Sequence, residues 1–143
     1  MRDTILHIAL NQFGVKEISG EKDNPEVLKY FNDIGFDGTA MKDETAWCSA
    51  FMNWVALQAN AERTNKLNAR SWLTVGVETK SPKQGDIVIL WRESPSSWKG
   101  HVGVFIRKSK DKVYILGGNQ NNQVNIKAYS AARVLAYKTL KSC

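Results

Sequence analysis

The sequence predicts an α+β domain, with helices from its first half packed on one face of an antiparallel sheet built from its second half. Two observations carry this. Apolar residues recur at helical spacing through the first sixty or so positions. After residue 84 the chain breaks into short runs rich in β-branched and aromatic residues, separated by Gly, Asn, Ser and Lys. The runs follow one another too closely for parallel crossovers, which need roughly a dozen residues or more, so neighbouring strands must pair antiparallel. With 143 residues the chain can bury one respectable core and not two, so residues 1–143 are read as a single domain.

In the first helix Ile5, Ala9 and Phe13, with Leu6 and Leu10, form an apolar stripe that Gly14 stops. In "NPEVLKYFNDIG" Asn24 is a natural N-cap, Pro25 suits the first helical position, and Gly35 lies just past the end. The third helix runs from about Trp47 to Gln58, with Ala50, Phe51, Trp54, Val55 and Leu57 on a wide buried face. "ARSWLTVG" suits a short fourth. The strands are "GDIVILW", "HVGVFIRK", "KVYILGG", "QVNIKAY" and "RVLAYKTL".

Composition narrows the function. Twenty Lys and Arg against fourteen Asp and Glu give a net charge of +6, which favours anionic partners such as nucleic acid, acidic membrane surface or bacterial wall. The basic residues are scattered, and the densest cluster, "RKSKDK", is equally well explained as a strand-to-strand turn, so nucleic acid is not expected as a partner. No apolar run approaches the ~20 residues that span a bilayer, so stable membrane insertion is not expected either. The start lacks a small-residue cleavage site and reads as a first helix rather than a signal peptide. Two cysteines do not make a disulfide framework. His7 and His101, the two histidines, lie far apart with no H-E-x-x-H or paired-Cys spacing, so neither a metal nor another cofactor is expected.

Cys48 stands at the start of the apolar third helix. If Thr45 or Asp43 caps that helix, the thiol lies in its first turn, where unpaired N–H groups favour a thiolate and could hold an oxyanion. A small buried hydrophobe is the plainer alternative. A thiol nucleophile needs a base. His7 sits inside an amphipathic helix, whereas His101 opens a strand directly after Gly100. The next strand ends in "GGNQNN", and antiparallel pairing would bring Asn119 beside His101 as the group that orients its ring. That stretch also reads simply as a turn.

At these residues the chain resembles the papain-like cell-wall hydrolases of the CHAP and NlpC-type amidohydrolase and peptidase group. The matching pieces are "WCSAF" around Cys48, "SPKQGDIVIL" at 81–90, "GHVGVFI" at 100–106 and "VYILGGNQ" at 113–120. The resemblance implies a papain-like fold with a five- or six-stranded antiparallel sheet. It implies Cys48 as nucleophile, His101 as general base and later acid, and Asn119 as the third member. Many CHAP domains carry a glutamate two residues before that asparagine, where this chain has Gly117, so neighbouring Gln120 is an alternative for the role. Trp47, Trp72, Trp98 and Gln120 are candidate substrate contacts. Asp86, in the "GD" pair, is expected to fix the strand entry rather than take part in chemistry.

The implied activity is a cysteine amidase or endopeptidase acting on peptidoglycan stem peptides. The setting expected is that of a phage lysis enzyme or an exported effector: cytoplasmic until released, monomeric, and open to control by an immunity or inhibitor protein. Two rival readings are a lysozyme-like glycosidase using carboxylates among Glu17, Glu21, Asp23 and Asp43, and a wall-binding module without catalysis.

Overall fold

In the computed structural model, which describes residues 1–16, 24–37 and 47–143, three helices precede a six-stranded sheet. Helix α1 spans Arg2–Leu10, α2 Pro25–Asn32 and α3 Trp47–Gln58. Asn24 caps α2 as its side chain predicts, its amide oxygen accepting the Glu26 N–H at 2.9 Å with Pro25 in the first turn. The first helix is shorter than its apolar stripe. The N–H groups of Gln12 and Phe13 bond back only three residues, to Ala9 and Leu10. These tighter turns carry the chain off helical register, so Ile5 and Ala9 are buried while Phe13 is 56% exposed. The fourth helical segment is a 3₁₀ turn, Ala69–Thr74.

The strands are β1 Val77–Glu78, β2 Ile87–Trp91, β3 Gly100–Ser109, β4 Lys112–Gly117, β5 Asn125–Ser130 and β6 Val134–Thr139. They lie in the order β1-β6-β2-β3-β4-β5, and every neighbouring pair is antiparallel. The two-residue β1 at the edge was too short to leave a pattern in the sequence. Alternation along the strands sorts two apolar layers. Ile87, Ile89, Val102, Val104 and Leu116 join the helices in the main core. Val88, Leu90, Phe105, Val113 and Ile115 form a second cluster beneath Tyr129, Val134 and Tyr137. Central strands covered on both faces explain why "IVIL" reads as a continuous apolar run.

Asp86, fully buried at the entry to β2, accepts the Lys83 N–H at 2.8 Å and pairs with Arg2 at 2.7 Å. It ties the first helix to the sheet, away from either cavity described below. Polar residues inside α3 fix the helix from the other side. Asn53 donates to the carbonyls of Ser49 and Lys66 and accepts the N–H groups of Thr64 and Asn65. Ser49 donates to the Lys66 carbonyl and accepts the Trp72 indole N–H at 3.0 Å. Two side chains in successive turns of α3 thereby hold the 61–74 segment. Asn53→Ala leaves buried donors and acceptors without partners and is expected to cost about 3 kcal/mol, read as a lowered urea midpoint. A midpoint within error of the parent's would show that the network does not anchor the helix.

Candidate active site

Cys48 is the second residue of α3, inside its first turn, and is 3% exposed. The caps proposed for this helix, Thr45 and Asp43, lie outside the described residues, as do Glu17, Glu21 and Asp23. The backbone N–H of Val102 faces the sulfur, together with those of Ser49 and Cys48 itself. The thiol therefore abuts the start of β3, one residue along from His101. Burial pushes its pKa up, outweighing the Val102 N–H, the Arg92 charge and the local N–H groups, which all pull it down. The helix terminus does supply stabilising donors, as the sequence suggested. In this conformation, though, desolvation wins and a thiol rather than a thiolate is held there.

His101 is 5% exposed, and its partner is Gln120. Its Nε2 lies 2.9 Å from Gln120 Oε1. The amide cannot turn round: Gln120 Nε2 donates to the carbonyls of Ile115 and Asn125 and to Asn125 Oδ1, at 3.1, 2.8 and 3.0 Å. With the nitrogen committed to three acceptors, the oxygen must face the imidazole, so His101 carries its proton on Nε2 and keeps the lone pair on Nδ1. Asn125 returns a bond from its own amide to the Gln120 carbonyl at 3.0 Å. Asn119, expected to orient the ring, instead stands at a left-handed turn with φ 59° on the wall of the adjoining cavity. The backbone explains the exchange. A left-handed Asn119 turns the chain after Gly118, and it is the next side chain that comes back over the strand end.

Two glycines make room for this. A Cβ on Gly117 would meet Gln120 Oε1 at 2.8 Å and His101 Nε2 at 3.3 Å. One on Gly118 would meet Phe51 at 2.8 Å and the Trp47 ring at 3.0 Å. The "GG" therefore marks close approach, of the pair over one residue and of α3 against the next.

Tyr129, on β5, was not singled out from sequence. Its hydroxyl lies 3.3 Å from His101 Nε2, the two rings are 5.3 Å apart, and burial raises its pKa above the usual phenol range. Arg92, Lys127 and Arg133 were missed as well. All three line a cavity of about 340 Å³ with His101 and Tyr129. Arg92 was within reach of inference: it follows Trp91, whose register partner Gly100 precedes His101. Lys127 lies on β5, which pairs with β4 in chain order, whereas Arg133 arrives through the pairing of β6 with β2, which the sequence does not reveal.

Of the proposed substrate contacts, Trp47 and Trp72 belong to the core. Trp47 stacks on Tyr30 with centroids 6.3 Å apart, and Trp72 is fully buried on Ser49. Gln120 is 1% exposed and is occupied with His101. Trp98 is different. It is 71% exposed and lines, with Trp91, a second cavity of about 600 Å³ that shares Arg92 and Arg133 with the first. Arg70 holds the loop bearing Trp98 through the carbonyls of Ser94, Pro95 and Lys99. Cys48 lines neither cavity. Among the described residues no three His, Cys, Asp or Glu side chains gather as a metal site, and no helix is long and apolar enough to cross a membrane.

Burial lowers the His101 pKa to about 4; the Gln120 bond raises it, while the charges of Arg92, Arg133 and Lys127 lower it further. An imidazole that binds its proton more weakly folded than unfolded contributes full stability above its ordinary 6.5 and loses it as pH falls toward about 4. The expected loss is on the order of 3 kcal/mol. Urea midpoints measured across that window should fall further for the parent than for His101→Asn. Parallel declines would mean that the ring is not held neutral.

Residues 40–119 match the family model of the CHAP domain, which is more than half of the chain. A solved structure described as similar to a lipoprotein of the NLP/P60 family, from Staphylococcus aureus subsp. aureus Mu50, shares the fold with a TM-score of 0.54 at 15% identity. The match covers 96% of this chain and 40% of that one, so this chain spans well under half the length of that protein. Comparison with curated proteins gave no match.

Proposed function

We infer that this chain, which belongs to the CHAP domain family of cell-wall hydrolases, cleaves an amide or peptide bond in the stem peptide of peptidoglycan with Cys48 as its nucleophile. The observation that carries the reading is the meeting of α3 and β3. A thiol in the first turn of a helix lies one residue along the strand from an imidazole whose tautomer is fixed by a buried amide.

A neutral imidazole and a neutral thiol define the order of events. Nδ1 of His101 takes the Cys48 proton as the sulfur attacks the carbonyl carbon, and the oxyanion is received by N–H groups of the first turn, that of Cys48 included. The tetrahedral intermediate collapses, and the imidazolium gives its proton to the departing amine. The enzyme is left as a thioester. Water, deprotonated by the same nitrogen, then releases the acid and restores the thiol. Gln120 accepts from Nε2–H throughout and holds the ring in place as its charge changes.

Digestion of purified peptidoglycan followed by mass spectrometry tests the reading. The parent should yield free lactyl ends or shortened peptides, and Cys48→Ala none. New reducing sugars, or bound wall with no products, would replace it with the glycosidase or the binding module. Gln120→Ala should lower kcat/KM by roughly 10²-fold, because the ring loses its anchor, while Asn119→Ala should cost far less. The reverse ranking would return the orienting role to Asn119.

Activity should hold at neutral pH and fall on an acid limb near 4, as His101 becomes protonated and can no longer accept the thiol proton. Alkylation of Cys48 by iodoacetamide should still be rising above the ordinary thiol pKa of about 8.5. An alkylation rate already level by roughly pH 6 would instead reveal a stored thiolate–imidazolium pair.

A further inference from the structure

Arg92 follows the last residue of β2, Lys127 lies in the middle of β5, and Arg133 ends the 3₁₀ turn before β6. Three cations from separate stretches of chain line one cavity of about 340 Å³, and among the described residues no acidic side chain lines it with them. Among the described residues none of the three forms an ion pair, whereas Arg2, Lys29 and Lys99 are each paired with a carboxylate. Like charges brought together in this way repel, and an anion between them relieves the repulsion.

The cations are also oriented. Arg133 donates from Nε to the Trp91 carbonyl at 3.1 Å, and its guanidinium lies 5.5 Å from the Tyr129 ring and 5.8 Å from that of Trp91. Its two terminal nitrogens bond to no protein atom among the described residues, which leaves the planar fork that suits a carboxylate. The Lys127 ammonium lies 5.5 Å from the same Tyr129 ring. The phenol thus holds both cations near the imidazole that it touches. Their combined field is felt at His101, along with that of Arg92.

We propose that Arg92, Lys127 and Arg133 form a carboxylate-binding subsite beside His101, and that the substrate is an acidic peptide with a free carboxylate next to the scissile bond. The proposal rests on the hydrolase reading above and narrows it. Because the cavity that holds the cations also contains His101, an acid bound there belongs to a residue adjoining the reacting carbonyl rather than to a remote part of the wall polymer.

The test uses two stem-peptide fragments that differ only in that carboxylate, free in one and converted to the carboxamide in the other. The parent should favour the free acid in kcat/KM by about tenfold, and the ratio should fall toward one in Arg92→Gln/Lys127→Gln. A parent that treats both peptides alike, or a double variant that keeps the preference, overturns the subsite. The ratio is read within each protein, so a general loss of activity in the variant does not blur it. If the parent cleaves neither peptide, the hydrolase reading fails separately, and calorimetric binding of the same pair decides the subsite. Tighter binding of the acid, lost in the double variant, upholds it; equal or absent binding of both overturns it. Inorganic phosphate and acetate are compared as competitors, and displacement by phosphate at about tenfold lower concentration would assign the cations to a phosphate ligand instead.

Discussion

The chemistry assigned to this domain depends on one immobilised amide. An imidazole inside a protein has two nitrogens and no intrinsic preference strong enough to decide which keeps the proton. Gln120 decides it, because its NH₂ group is spent on Ile115 and Asn125 and only its oxygen remains for the ring. The loop that presents this amide is itself closed by reciprocal backbone bonds between Gln120 and Gln123. It is tied to the N-terminal segment through bonds linking Gly14 and Val15 with Val124. An element as remote in sequence as the end of the first helix thus takes part in orienting the His101 ring.

The surroundings set the protonation states of the pair. The sulfur is deep enough for desolvation to prevail over the helix terminus. The imidazole, buried and facing three cations, is neutral across the physiological range. In the proposed reaction, charge is therefore created only as the bond is made, in the manner of a serine hydrolase. The basic surroundings that make His101 a weak base would also favour the anionic states of the proposed reaction, and they form the subsite proposed for an acidic substrate. Electrostatics that disfavour the resting ion pair serve recognition.

Much of this was legible in the sequence. The change from helical to alternating periodicity gave the class, and Asn24, Pro25 and Gly35 marked one helix closely, because caps and turn residues act locally. Cys48 and His101 could be singled out because each stands at the beginning of its element. What resisted reading depends on the path of the chain between elements. A left-handed residue at 119 hands the ring to residue 120, and dihedral signs are not written in side-chain chemistry. Trp47 and Trp72 looked like cleft aromatics only because their composition is the same in a core. Arg133 reaches the site because β6 returns to pair with β2 rather than with its predecessor β5, for which no local pattern exists.

The bare α-carbon at position 117 and the long amide at 120 occupy one small volume between strand end and ring. Only one of the two positions can extend into it. A carboxylate reaching up from the strand and an amide reaching down from the loop are thus mutually exclusive ways to steady the same imidazole. Moving between them requires two coordinated replacements, since either alone leaves the space overfilled or empty. A chain carrying a side chain at 117 is therefore expected to carry a shorter one at 120, and the two positions must be exchanged together.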